Sequence, residues 1–294
     1  MAERLPDLSA FGVRLRLMRV DVNSFLGDYP FRRVPGTSPE ALLRAMDRVA
    51  IDEAWVSHLP SVFWHDPAEG NDWLYEITER HPRLLPVPAV HPGLPGWEVA
   101  VRQARSEAAP AVRCDPTYYG LDPQGSEMRA LGAFCAIERM PLMSAVRLED
   151  GRQRHPNDRA GELPPWAVRA LIRSDPGLHL IVTHADRAFV EEVHFGSTPE
   201  ESARIWWDIC WIWGPPEDHL QILLRTLGVE RFLFGTGQPL RIPEMSLAKL
   251  DLLDLTSDQR GAIESENVKQ LVVIPSAAMG QSKGRSSAPS RSLS

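Results

Sequence analysis

The sequence predicts an α/β fold, specifically a single-domain (β/α)8 barrel of the TIM type, and three observations carry that expectation. Short apolar runs alternate with amphipathic stretches from end to end, the pattern of parallel strands joined by crossover helices. Eight such runs fit within 294 residues, and a closed barrel needs about 250. The first run reads Asp21-Val22-Asn23-Ser24-Phe25 with no Gly-rich phosphate turn after it, which argues against an open dinucleotide-binding sheet.

The candidate strands are Leu15–Asn23, Glu53–His58, Leu84–His91, Ala111–Pro116, Leu142–Leu148, Leu178–Ala185, Ile205–Cys210 and Arg231–Gly237. Many are apolar without alternation, as strands covered on both faces should be. Between them, Ser38 is placed to cap a helix with Pro39 in its first turn and Glu40 to Ala50 following at helical spacing. Asp72–Arg80 preceded by Asn71, Gly125–Arg139, Pro164–Arg173, Asp218–Leu227 and Ser257–Val272 repeat the pattern. The barrel is expected over residues 15–274, after an extension of residues 1–14. Residues 275–294, rich in Ser, Gly, Ala and Arg, read as a disordered tail.

Composition excludes several classes of function. A formal net charge of −7 disfavours a sequence-independent nucleic-acid binder. No apolar run reaches the ~18 residues of a membrane span, and Met1 to Leu8 lacks the apolar core of a secretion signal. Cys114, Cys135 and Cys210 are far apart and form no CxxC pair, so a reducing, cytoplasmic setting is expected without a disulfide framework.

Active sites of such barrels lie at the C-terminal ends of the strands. The polar residues there are Asp21 and Asn23, Ser57 and His58, His91, Arg113 and Asp115, Arg147 with Glu149 and Asp150, His184 and Asp186, Asp208, and Thr236 with Gln238. Segments Arg19–Gly27, His81–Pro92, Ile181–Asp186, Phe232–Pro239 and Glu266–Leu271, in this order and spacing, resemble the amidohydrolase-related proteins of the aminocarboxymuconate-semialdehyde decarboxylase branch. The most diagnostic stretch is Phe234-Gly235-Thr236-Gly237-Gln238-Pro239, which is similar to that family's Phe-Gly-Ser/Thr-Asp-Tyr-Pro turn after the last strand.

The resemblance implies hydrolase-like chemistry at a mononuclear divalent metal, often zinc. Its ligands would be an HxH pair ending strand one, histidines after strands five and six, and an aspartate after strand eight. This sequence departs from that set. The HxH positions hold Asn23 and Phe25, the strand-five position falls near Arg147, and the aspartate position holds Gly237; only His184 matches. A catalytic zinc takes about three protein ligands, so the metal site reads as degenerate. No tightly bound metal and no cofactor is expected, and a hydroxide nucleophile generated near pH ~7 is not available.

Two functions follow from different classes. One is a metal-independent enzyme acting by hydrolysis or lyase chemistry on a small carboxylated substrate. His184 would be its acid/base, and Arg113 or Arg147 would hold a carboxylate or stabilise an oxyanion. Asn23, Asp21, Asp115, Asp208 and Gln238 are the candidate substrate contacts. The other is a pseudoenzyme: a non-catalytic barrel binding a small anionic ligand, or pairing with itself or an active paralogue. Each residue also has a plainer reading. Asp21 would brace the end of strand one, and the arginines would pair internally with Asp115, Glu149 or Asp150. His58 and His91 would be structural, Cys210 has no evident base, and Trp206, Trp207, Trp211 and Trp213 would pack the core and loops unless one floors a ligand pocket.

Overall fold

The structure is a computed structural model that describes residues 18–271. The predicted extension, the tail and the first residues of the expected strand one lie outside that range. Eight parallel strands follow one another in chain order: β1 (Val20–Leu26), β2 (Glu53–His58), β3 (Leu84–Pro86), β4 (Val112–Arg113), β5 (Leu142–Ala145), β6 (Leu180–Thr183), β7 (Ile205–Asp208) and β8 (Phe232–Leu233). Strands β1 to β3 form one sheet and β4 to β8 another. Backbone hydrogen bonds join the two at both seams. Val90 and Arg113 pair at one, through Val90 N to Arg113 O at 2.7 Å, and Val22 N to Phe234 O at 3.0 Å and Phe25 N to Gln238 O at 2.7 Å close the other. The result is a closed eight-stranded barrel, as the sequence predicts.

Helix α1 (Pro39–Arg48) begins at the expected Ser38 cap, whose side chain accepts from Ala41 N. Helix α2 (Ala68–Arg80) starts four residues before the expected Asp72. Asn71 is therefore inside the helix, where it exchanges two 2.8 Å hydrogen bonds with the backbone of Ala89 and anchors the end of β3. Helices α3 (Trp97–Ser106), α4 (Ser126–Glu138), α5 (Pro165–Ile172), α6 (Arg187–Phe195), α7 (Pro199–Ser202), α8 (His219–Leu227) and α9 (Pro243–Leu252) continue the ring. The last predicted helix is continuous but not uniform: α10 (Ser257–Gly261) passes through a π segment, Ala262–Glu266, into α11 (Asn267–Lys269). No helix among the described residues is long and apolar enough to cross a membrane.

Three apolar layers position the site. The largest lies between strands and outer helices. A second fills the lumen with Trp55, Met143, Ile181, Trp206 and Leu233 among others, a packed plug such as small barrels require. A third, built from Phe25, Tyr29, Val34, Leu59, Val62 and Leu148 with Phe31, Phe63 and Tyr118 against it, draws on loops at the C-terminal ends of the strands and roofs the mouth. Tyr29 Oη donates to Glu149 at 3.0 Å and Arg32 pairs with the same carboxylate, which pins the loop after β1 to the loop after β5.

Candidate functional site

Between the lumen plug and the aromatic roof lies a buried polar layer. It begins with a bulge in β1: Asp21 pairs with Ala54 while Ser24 pairs with Val56, one extra residue on the β1 side. A bulge breaks the in-out alternation of a strand. Val22 therefore joins the lumen plug, and the next residue, Asn23, also turns inward. Asp21 holds this geometry as the plainer reading proposed. It accepts from Asn23 N at 3.0 Å, from Ser24 Oγ, and from Thr236 N and Oγ1 at 2.9 and 2.6 Å. Asp21 is thus a brace between the first and last strands, and burial pushes its carboxyl up to about 6.

Asn23 is the hub of the layer. Its Oδ1 accepts from Arg113 Nη2 at 2.8 Å, and its Nδ2 donates to Asp208 Oδ2 at 2.7 Å. An arginine can only donate and a carboxylate only accept, so these two partners fix which way round the amide sits. The same Nδ2 lies 3.3 Å from His184 Nδ1 and 3.9 Å from Cys210 Sγ. Arg113 also donates from Nε to Ser57 Oγ at 3.0 Å and lies 3.7 Å from Asp115, with its guanidinium 4.6 Å above the Phe25 ring. Asp115 receives Ala145 N at 2.7 Å. Asp208 receives His184 N at 3.0 Å, which helps hold His184 at φ 58°, a left-handed conformation uncommon for a side-chain-bearing residue.

His184 is completely buried, and its Nε2 has no hydrogen-bond partner. It faces Gly237: a Cβ at that glycine would stand 3.2 Å from His184 Nε2 and 3.4 Å from both Cys210 Sγ and Arg241 Cδ. Burial, together with Arg241, Arg113 and Arg147, pulls the imidazole well below its ordinary value, so it is neutral at physiological pH. Burial likewise pushes the Cys210 thiol well up, reinforced by Asp208.

The expected residues therefore separate. Asn23, Arg113, Asp115, Asp208 and His184 converge in one layer. Arg147 does not bond to them. It pairs with Asp186 at 2.9 Å and Glu162 at 3.1 Å, partners the sequence analysis did not name; Glu162 lies on a distant part of the loop and Asp186 also caps α6. Gln238 is buried with its Nε2 unpaired, and its backbone carbonyl closes the barrel seam. Arg152 grips Asp150 at the surface. His58 bonds Ser61 at 2.8 Å between Trp64 and Trp73, and His91 stacks on Tyr119; both are packing residues. Two residues reach His184 from the β7 end of the barrel: Asp208, the last residue of β7, and Cys210, two residues beyond it.

Those three residues form the sole group of three or more His, Cys, Asp or Glu side chains among the described residues whose ligand atoms lie within 4.8 Å of one another. The Asn23 amide nitrogen stands among them, 2.7 Å from Asp208 Oδ2, 3.3 Å from His184 Nδ1 and 3.9 Å from Cys210 Sγ. At the positions where the family resemblance implies ligands, Phe25 and Gly237 offer no donor atom. Three guanidinium groups also bear electrostatically on His184, a field that opposes a divalent cation.

No family model and no curated protein sequence matches this chain. Solved structures do. The 2,6-dihydroxybenzoate decarboxylase from Rhizobium aligns with a TM-score of 0.66 at 15% identity, over 87% of this chain and 98% of its own. The 5-carboxyvanillate decarboxylase from Sphingomonas paucimobilis gives 0.65 at 14% identity, over 87% and 99%. The enzyme of that name from Novosphingobium aromaticivorans, solved as a D314N mutant with bound manganese and a nitrobenzoic acid, gives 0.64 at 13%, over 88% and 98%. At such identities the likeness shows the fold alone, an eight-stranded α/β barrel that this chain shares with these decarboxylases.

Proposed function

We propose that this protein is a metal-independent member of that architecture which binds a small carboxylated molecule and does not use metal-hydroxide chemistry. The observation that carries this reading is the Asn23 amide, which lies where His184, Asp208 and Cys210 converge and is oriented by Arg113. A neutral N–H donor thereby takes the place where the resemblance implies a cation. The ligand class is supported by the cationic surroundings of the layer and by the carboxylates held in two of the similar structures, 2,6-dihydroxybenzoate in one and a nitrobenzoic acid in another.

Protein dialysed against EDTA should bind small carboxylates as well as untreated protein does, measured by calorimetry. Binding that vanishes on chelation and returns with manganese or zinc would overturn the reading. A second reading, metal-independent turnover, draws on one observation: with Nδ1 of the neutral His184 accepting from Asn23, the unpartnered Nε2 carries the ring proton and faces the space over Gly237, suited to donate it. In that case His184→Ala should abolish any turnover found in a screen of carboxylated esters and acids while the far-ultraviolet spectrum stays unchanged. Turnover that survives the substitution would remove His184 from the chemistry.

A further inference from the structure

Beside the polar layer on the barrel axis, and sharing Cys210 with it, a cavity of about 520 Å³ opens between the loop after β7 and helix α9. Its walls combine two features. One is cationic: Arg241 lies flat on the Trp211 indole, 3.6 Å from the ring centroid, with its Nε buried and without an acceptor. No carboxylate among the described residues pairs with it. Lys249, also on the wall, donates to the carbonyls of Ile209 and Cys210 at 2.8 Å each, which leaves one of its three N–H groups uncommitted. The other feature is apolar: Trp213, Met245 and Leu252 line the same cavity and are 52%, 46% and 66% exposed.

The charges do not cancel internally. Of the two lining carboxylates, Asp150 is held bidentately by Arg152, and Glu217 is exposed, where water screens it. Gly237 explains why Arg241 lacks a partner. A side chain there would start 3.4 Å from the arginine's Cδ, and the glycine contributes none. A half-buried guanidinium stacked on an indole is held in one orientation, which prepares it for two parallel hydrogen bonds to a carboxylate. Large exposed apolar side chains clustered on one concave surface are the usual complement for the body of such a ligand.

We infer that this lateral cavity is the ligand site, and that it takes a small monocarboxylate with an apolar or single-ring body, its carboxylate on Arg241 and Lys249 and its body against Trp213, Met245 and Leu252. The inference rests on the carboxylate-binding function proposed above and moves the ligand off the barrel axis.

Calorimetry with benzoate tests it, using benzamide as the neutral isostere and inorganic phosphate as the anion without an apolar body. Two variants guard against misfolding: Arg241→Gln removes the guanidinium, and Ala248→Trp, at an exposed lining position of α9, fills the cavity. Benzoate should bind saturably, benzamide and phosphate at least tenfold more weakly, and both variants should weaken benzoate at least tenfold. Benzoate binding that is unchanged in both variants would overturn the location while leaving the proposed function standing. Phosphate binding more tightly than benzoate would overturn the ligand class. No benzoate binding to the wild-type protein would overturn the inference, whereas the proposed function falls only if none of the small carboxylates tested binds.

Discussion

The axial layer and the lateral cavity carry the same kinds of residue and differ in bookkeeping. On the axis, Asn23 bonds Arg113 and Asp208, Arg113 also bonds Ser57, and Arg113 is 1% exposed. Beside it, Arg241 and Lys249 face open space without an acidic partner. A closed network contributes to one unique fold, whereas an unmatched cation at a cavity wall is available to a ligand. Positive charge alone therefore does not mark a binding site in this barrel; unmatched positive charge does.

The comparison can be broken by substitutions on either side. The largest effect belongs to the axis. Arg113→Met should cost about 3–5 kcal/mol in urea unfolding, because it strands buried acidic groups without their cation. A loss below about 1 kcal/mol would mean the network is not a structural unit. Next is Asp21→Asn, which turns an acceptor of four hydrogen bonds into a half-donor and should cost about 1–3 kcal/mol.

The same residue has a pH signature. Burial pushes the folded carboxyl up to about 6, against an ordinary aspartate value of 3.8. The folded state therefore favours the protonated form, and its contribution should grow as pH falls from about 6 towards 3.8. Urea midpoints at both ends of that window should show wild type gaining on acidification relative to Asp21→Asn; parallel behaviour would remove Asp21 as the titrating group.

On the cavity side, burial pulls Lys249 down to about 8, with Arg241 adding to the fall and Cys210 and Asp208 opposing it. Its charge is present below that pH and lost above it. Benzoate affinity should thus fall severalfold between pH 7 and 9, and the slope should flatten in Lys249→Met. The smallest effect belongs to the exposed Arg152–Asp150 pair: Arg152→Ala should leave the melting temperature unchanged, since surface pairs are screened by water and salt.

The barrel was legible in the sequence because its strands are apolar runs with turn residues between them, and all eight fall within the described fold or at its edge. Asp21, Asn23, Arg113, Asp115, His184 and Asp208 were legible as strand-end residues for the same reason. Their connections were not. The bulge that turns Asn23 inward adds one residue and no sequence signal. Arg147 found Glu162 and Asp186 instead of its nearest acidic neighbours because the loop folds back over the strand end. Cys210 had no evident base in the chain, yet two residues of spacing from Asp208 carry it to His184. The lateral cavity is hidden in the sequence for a different reason: α9 shows no apolar stripe at helical spacing, since its apolar residues serve the cavity wall as well as the core, and nothing in the pattern marks Lys249 and Met245. Trp213 fits the expectation of a tryptophan beside a ligand pocket.

The central proposal is that the Asn23 amide stands where the resemblance implies a metal ion. Elemental analysis by plasma mass spectrometry, on protein produced with zinc and manganese both supplied, tests it most directly. The account predicts well under one equivalent of either metal, with no difference between wild type and His184→Ala. One equivalent in the wild type that disappears in His184→Ala would contradict it.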